Sequence, residues 1–241
     1  ITIDHTGGTI TTSAYNSSAI RAERSASTGD INISSTNALL NVNGIDSDGI
    51  VAVHTTAMNE TSTANINITT RGGSIKVLDA PIANLLNKNI YSHGIEASIR
   101  GVNSGDINII VDKTEIIVGT HLDGKAPLSH AIDARIDNLG SGNIDIKNSG
   151  KLTTVGATSS LIFADNQGSG GVTITNSGEL SMLGRSIAAV NVQTNSGDVI
   201  INNSGSVTSS GDMATAIYGG SFSGNVSVIN SGEINFGGFG T

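Results

Sequence analysis

The five residues Gly29-Asp30-Ile31-Asn32-Ile33 recur unchanged at residues 105–109, and this repetition decides the fold. Looser copies occur along the whole chain; two apolar residues flank a polar one in all of them except Val199-Ile200-Ile201. Their first apolar residues are Ile1, Ile31, Ile66, Ile107, Ile144, Val172, Val199 and Val226. Successive copies start 30, 35, 41, 37, 28, 27 and 27 residues apart. An internal period of this length is typical of a solenoid, in which each repeat packs only on its neighbours.

Two further phrases follow the first one in each repeat. The second is Asn-Ser-Gly, one further residue and an apolar residue, as at 148–152, 176–180, 203–207 and 230–234. The third has an apolar residue two positions before a small residue, usually Ala. Its apolar anchors are Ile20, Ile50, Ile95, Ile132, Ile162, Ile187 and Ile217. The period-two alternation in all three phrases predicts short strands, which we name A, B and C in chain order.

Three strands in about 27 residues fit one coil of a three-sided solenoid. We therefore predict an all-β fold: a right-handed parallel β-helix of about eight coils with three strands each, because parallel crossovers are almost always right-handed. Ile31 and Ile33 should point inward and Asn32 outward. The asparagines of the second phrase should stack as an amide ladder at the corner between strands A and B: Asn148, Asn176, Asn203 and Asn230.

The composition agrees with a narrow interior and excludes several classes of protein. The chain of 241 residues contains 31 Gly, no Cys, no Trp and only 3% aromatic residues, so small β-branched side chains must form the core. A net charge of −8 argues against a nucleic-acid partner, which requires a basic surface. The absence of Cys excludes a disulfide framework. The sequence contains no stretch of 18 apolar residues and therefore predicts no membrane-spanning helix.

Residues 104–109 (Ser-Gly-Asp-Ile-Asn-Ile) and 176–180 (Asn-Ser-Gly-Glu-Leu) resemble the passenger domains of bacterial autotransporters, the type V secretion proteins. The resemblance covers nearly the whole chain. It implies export across the outer membrane of a Gram-negative bacterium and a secreted or surface location. Under this interpretation, residues 1–241 are a single β-helical passenger fragment that lacks a signal peptide and the C-terminal translocator barrel.

Passenger domains differ widely in activity, so the resemblance leaves the function open. The first hypothesis is an adhesion or interaction module that binds a host cell-surface protein or receptor, with self-association also possible. The alternative is a soluble, growth-factor-like ligand of a host receptor, which would act as a virulence factor by signalling. A polysaccharide-acting enzyme is a distant third.

Sequence motifs argue against catalysis, and we expect neither catalytic residues nor a cofactor. The serine-protease motifs Gly-Asp-Ser-Gly and Gly-Thr-Ser-Met are absent. His93-Gly94 matches part of the pattern of pectin-degrading β-helix enzymes. However, Ser74-Ile75-Lys76 lacks the Arg of their basic triplet, and no paired aspartates accompany it.

Three polar residues stand two positions before strand-C anchors and form the only candidate metal site. Asp48, His93 and His130 should lie one above another on consecutive coils, close enough for two imidazoles to share a metal ion. The favoured interpretation is a structural polar ladder at the strand entrance, continued by Ser160 and Thr215, with no metal bound.

Insertions indicate where a partner would bind. Steps from the B anchor to the C anchor are 10, 11, 20, 16, 10, 7 and 10 residues, which places loops at 80–92 and 119–130 on one corner of adjacent coils. A third loop is expected at 53–63. The corner loops combine apolar and basic residues, which interfaces use, and the predicted partner-binding residues are Leu85, Leu86, Lys88, Tyr91, His121 and Lys125. The alternative is that the 80–92 loop packs back on the rod.

Overall fold

A computed structural model describes residues 1–25, 28–57, 60–79, 91–120, 129–137, 140–155, 159–184, 188–212 and 214–237. These residues form an all-β right-handed parallel β-helix, as predicted, built from three parallel sheets of eight, eight and seven strands. None of them lies in a helix long and apolar enough to cross a membrane.

Each sheet collects one strand type from successive coils. Sheet A contains β1 (Thr2–Thr6), β4 (Ile31–Thr36), β7 (Ile66–Arg71), β10 (Ile107–Asp112), β13 (Ile144–Asn148), β16 (Val172–Asn176), β19 (Val199–Asn203) and β22 (Val226–Asn230). Sheet B contains β2 (Thr9–Thr12), β5 (Leu39–Val42), β8 (Ser74–Asp79), β11 (Glu115–Thr120), β14 (Lys151–Thr154), β17 (Glu179–Met182), β20 (Val207–Ser209) and β23 (Ile234–Phe236). Sheet C contains β3 (Ile20–Ser25), β6 (Ile50–Thr55), β9 (Ile95–Arg100), β12 (Ile132–Ile136), β15 (Ser160–Asn166), β18 (Ala188–Thr194) and β21 (Thr215–Ser221).

The strand-A anchors form the predicted vertical ladder. Each pairs with the equivalent residue of the next coil, from Ile31 with Ile66 through to Val199 with Val226. Ile31 and Ile33 are buried and Asn32 lies between them on the outer side, because successive strand residues face opposite sides. Val226, in the last coil, is 44% exposed because no described coil covers it.

One strand-C anchor was assigned wrongly from the sequence. Ile162 pairs with Val190, which in turn pairs with Ile217, so the sixth-coil anchor is Val190 and not Ile187. The step from Leu180 to Val190 is then ten residues, like the step from Leu152 to Ile162. Residues 186 to 189 match the third phrase by chance. The geometry of the coil fixes the number of residues between strands B and C, and this number identifies Val190 as the anchor.

Two kinds of corner join strands A and B. In the first four coils the anchors are nine residues apart, as from Ile107 to Ile116, and one or two corner residues are left-handed. These are Gly7, Gly8, Asn37, Gly72, Gly73 and Lys113, with φ of 65°, 72°, 53°, 58°, 69° and 53°. In the next four coils the step is eight residues, as from Ile144 to Leu152, and Asn-Ser-Gly makes the turn.

The Asn-Ser-Gly corners stack through their amides, as predicted. The Nδ2 groups of Asn148, Asn176 and Asn203 donate to Oδ1 of the next asparagine at 2.7, 2.6 and 2.6 Å, and the ladder ends at Asn230. Glycine is required beside it, because a Cβ on Gly178 would lie 2.0 Å from the carbonyl oxygen of Gly150 in the preceding coil.

The 80–92 insertion begins where it was expected, whereas the insertions predicted at 119–130 and 53–63 begin slightly later. Strand β8 continues to Asp79, β11 to Thr120 and β6 to Thr55, so each loop starts only after these residues. The third loop is partly tied down, because Ser62 forms a parallel bridge with Asn103 in the following coil.

Candidate functional site

The outer face of sheet C carries a polar cleft of about 330 Å³ over the first four coils. Its lining combines charged side chains on strands with residues from the corner before strand C. The lining residues are Asn16, Arg21, Glu23, Asp46, Asp48, Val53, Tyr91, His93, Glu96, Ser98, Arg100, Asp133 and Arg135. Because β-strand residues alternate sides, the apolar anchors face the core while these polar neighbours face the cleft.

The predicted column of Asp48, His93 and His130 exists and borders this cleft. Oδ1 of Asp48 accepts the N–H of His93 at 2.6 Å, and Nδ1 of His93 accepts the N–H of His130 at 3.0 Å. The two imidazoles stack with centroids 5.4 Å apart and an interplanar angle of 5°. The column is therefore a hydrogen-bonded polar ladder, in which each side chain caps a backbone group of the next coil.

The ladder also determines the protonation of the imidazoles. Nδ1 of His130 accepts the N–H of Ser160 at 3.0 Å, closer than the Ser160 carbonyl oxygen at 3.4 Å. An Nδ1 that accepts a hydrogen bond carries no proton, so the neutral ring is protonated at Nε2. Burial lowers the pKa of His130 to about 4, although Asp133 opposes this shift. His130 is thus held neutral over the physiological pH range.

The pKa of Asp48 shifts in the opposite direction, because Asp48 is an acid with little access to water. Burial raises the pKa of Asp48 to about 6, against the attraction of His93 and the hydrogen bond from its backbone. Asp48 is only 6% exposed. Ionised Asp48 at neutral pH therefore costs folding free energy.

Asp133 is buried at the floor of the cleft and fully engaged. The Nε and NH2 groups of Arg135 donate to its two carboxylate oxygens, each at 2.7 Å, and Nε2 of His93 lies 3.4 Å from Oδ2. Burial alone would raise the pKa of Asp133, but Arg135 and His93 hold it below its ordinary value. The guanidinium lies 4.9 Å from the ring centroid of Phe163, and this ring stacks on His130.

These contacts leave the candidate metal ligands without a shared coordination geometry. The Nδ1 atoms of both imidazoles already accept backbone N–H groups, so their lone pairs do not point to a common ion. Among the described residues there is no group of three or more His, Cys, Asp or Glu that could hold a metal ion.

A second ladder at the same corner was missed by the sequence analysis. Oγ of Ser47 accepts the N–H of Ser17 at 2.8 Å, Oγ of Ser92 accepts from Ser47 at 3.2 Å, and Oγ of Ser129 accepts from Ser92 at 3.3 Å. The signal was present, because each serine stands three residues before a strand-C anchor. Serine is so common in turns that the spacing alone did not stand out.

Only one of the six predicted partner-binding residues lies within the described part of the chain. Tyr91 lines the cleft, is 40% exposed and donates its backbone N–H to Asp46 at 3.3 Å. Leu85, Leu86, Lys88, His121 and Lys125 lie outside the described residues. The ends of the two insertions are neighbours, as their spacing predicted, because Ser92 contacts Ser129.

No protein-family model matches the chain, and neither a curated protein nor a solved structure shows significant similarity to it. Functional inference therefore depends on the geometry of the rod and its outer faces.

Proposed function

We propose that this protein is a secreted or surface-displayed interaction module of the autotransporter-passenger type, which binds a host cell-surface protein through the cleft on sheet C. One observation carries the proposal: three of the six arginines in an acidic chain line this single cleft. The side chains of Arg21, Arg100 and Arg135 are 46%, 54% and 45% exposed, so each guanidinium is accessible to a partner.

Each of these arginines lies within ion-pairing distance of a carboxylate of its own strand. Arg21 pairs with Glu23, Arg100 lies 3.9 Å from Glu96, and Arg135 is bound by Asp133. Ordered arginines favour association, because less side-chain entropy is lost when a partner binds. Arginine and tyrosine are also the residues that protein interfaces use most, and Tyr91 lies at the rim.

The same contacts support a role without catalysis. Asp133 is engaged by Arg135, and Nδ1 of His93 accepts a backbone N–H, so His93 has no free basic nitrogen directed at a substrate. A general base needs a lone pair within reach of the proton that it removes. Binding therefore accounts for this cleft better than proton transfer does.

The test is saturable binding of the fluorescently labelled chain to cultured epithelial cells, with unlabelled protein as competitor. Arg21→Glu combined with Arg100→Glu should weaken binding at least tenfold. The matched control is Lys147→Glu, which reverses an exposed charge paired with Asp145 on sheet A. Absence of saturable binding, or equal affinities for both variants, would reject the proposal. A signalling response of the bound cells would favour a receptor ligand over an adhesin.

A further inference from the structure

The later coils carry a second polar surface on the outer face of sheet C, with a different chemistry. Two clefts of about 200 and 370 Å³ meet at Gln193. The smaller is lined by Ala188, Asn191, Gln193, Thr215 and Tyr218, and the larger by Asp165, Gln167, Gln193, Thr194, Asn195 and Phe222. Amides, hydroxyls and aromatic rings predominate, and no Lys or Arg follows Arg185 in the sequence.

Tyr218 forms an aromatic platform in the smaller cleft. A Cβ built on Gly220 would lie 3.1 Å from Oη and 3.5 Å from Cζ of Tyr218, so the ring lies over the glycine, where another residue would lift it. The tyrosine remains 49% exposed. A ring that lies along a strand with one side open can stack against a flat apolar face of a ligand.

Asn191 supplies an unsatisfied hydrogen-bonding group beside this ring. It is 6% exposed, and its Oδ1 has no hydrogen-bond partner within the described ranges. A buried carbonyl oxygen without a donor is destabilising, and a ligand hydroxyl or amide that reaches it would remove this cost. Strand pairing places Asn191 directly beside Tyr218, so the polar and aromatic contacts belong to one subsite.

The larger cleft repeats the combination of amide and ring. Phe222 is 88% exposed, the highest value among the exposed large apolar residues. Nε2 of Gln167 donates to Oδ2 of Asp165 at 2.9 Å, which orients its amide at the cleft. Gln193 belongs to both clefts, and Phe222 follows strand β21 four residues after Tyr218, so a ligand that extends along the direction of this strand could contact both rings.

We propose that this surface binds a neutral oligosaccharide that lies across the rod, along the direction of strand β21. Sugar rings present an apolar C–H face, which stacks on aromatic rings, and a rim of hydroxyls, which pair with amides. The lack of basic residues disfavours an anionic glycan, since no cation is present to offset its charge. At a rise of about 3.3 Å per strand residue, Tyr218 and Phe222 are separated along the strand by several sugar units, so an extended chain is needed to contact both rings.

The experiment is a glycan array probed with the 241-residue chain, followed by calorimetric titration of each neutral oligosaccharide that is retained. Tyr218→Ala and Asn191→Ala should each weaken binding tenfold or more, whereas Tyr218→Phe should stay within about threefold because the ring persists. Gly220 acts as a positioning residue: Gly220→Ala should weaken binding by displacing the ring. Tyr15→Ala is the control, since Tyr15 is 66% exposed in the first coil.

Thermal melts establish that each variant remains folded before its affinity is compared. Retention of no neutral glycan, retention of anionic glycans alone, or equal affinity of Tyr218→Ala and the parent would each overturn the proposal. The site is separate from the arginine cleft, so the Arg21→Glu and Arg100→Glu variant should bind the same glycan as the parent does.

Discussion

Asp48 shows how a single buried acid can reduce the stability of the rod at neutral pH. Its folded pKa of about 6 lies above the ordinary 3.8, so the folded protein binds the proton more tightly than the unfolded chain does. Stability contributed by Asp48 is therefore present below pH 3.8 and is lost as the pH rises to 6. We expect Asp48→Asn to raise the free energy of unfolding at pH 7 by about 3 kcal/mol at most, and to change it little below pH 3.8.

Urea denaturation of parent and Asp48→Asn at several pH values provides the measurement. The amide keeps an oxygen that can accept the N–H of His93, so the backbone cap survives the change. A stability difference that does not vary between pH 3.5 and 7 would contradict the assigned cause.

The pH dependence that His130 gives to the free energy of unfolding is opposite to that of Asp48. Its folded pKa of about 4 lies below 6.5, so its contribution is complete above pH 6.5 and is lost as the pH falls towards 4. His130→Asn keeps an acceptor for the Ser160 N–H but cannot take up a proton. We expect this variant to remove an acid-induced loss on the order of 3 kcal/mol, in addition to a pH-independent loss of ring stacking.

The measurement for His130→Asn is the change in unfolding free energy between pH 7 and 4.5. Burial also lowers the pKa of His54, which is unchanged in His130→Asn. This variant should therefore retain part of the acid sensitivity of the parent. If parent and variant lose the same stability on acidification, His130 is not the responsible group.

Strand β10 offers a comparison of burial with residue type held constant. Ile107 is completely buried, whereas Ile110 in the same strand is 39% exposed. Ile107→Ala should cost about 2–5 kcal/mol by leaving a cavity, and Ile110→Ala should cost under about 1. Chemical denaturation midpoints measure both, and similar losses would contradict the inward and outward assignment.

The amide ladder is the element that most distinguishes the later coils from the earlier ones. Asn176 donates to Asn203 and accepts from Asn148 while also bonding Gly178, whereas Asn230 ends the ladder at the surface. Asn176→Ala should cost about 3 kcal/mol, because several buried groups lose their partner. Asn230→Ala should cost under about 1 kcal/mol, because the neighbours of this exposed residue can bond to water. Equal losses in thermal melts would contradict the larger contribution assigned to the buried part of the ladder.

The repeat phrases predicted these strands well because one physical constraint recurs in every coil. An inward Ile or Val must meet its counterpart in the next coil, so Ile66, Ile107 and Ile144 carry a signal that the sequence repeats. The contact between Asp133 and Arg135 carries no such signal. Alternation places both residues outward, but their bidentate geometry depends on the neighbouring Phe163 and His93. The sequence therefore predicted the column of Asp48, His93 and His130 but not the contact between Asp133 and Arg135.

At the scale of the molecule, coils that contact only their neighbours make a rigid scaffold whose faces can differ along its length. The charged cleft lies on the first four coils, and the clefts rich in amides and aromatic rings lie on the later ones. Because each coil adds the same three strands, side chains on one outer face can change without disturbing the core. This independence allows one rod to carry two outer surfaces of different chemistry.

The two insertions provide the test of where a partner binds. They occupy the same corner of adjacent coils, since β8 pairs with β11 and β9 with β12. The steps from Ile75 to Ile95 and from Ile116 to Ile132 are 20 and 16 residues, against ten in the fifth coil. Deleting residues 80–89 and 121–126 would reduce both steps to ten and leave every described strand intact.

We expect the double deletion to fold, with a melting temperature close to that of the parent, because the ten-residue corner already serves other coils. Saturable binding to cells should fall at least tenfold, since the deletions remove five of the predicted partner-binding residues: Leu85, Leu86, Lys88, His121 and Lys125. Each single deletion serves as a control and shows how much of the lost binding affinity is due to each loop. If the loops only seal the rod, the deletions will lower the melting temperature and leave affinity unchanged. A variant that folds and binds as tightly as the parent would place the partner site elsewhere on the rod.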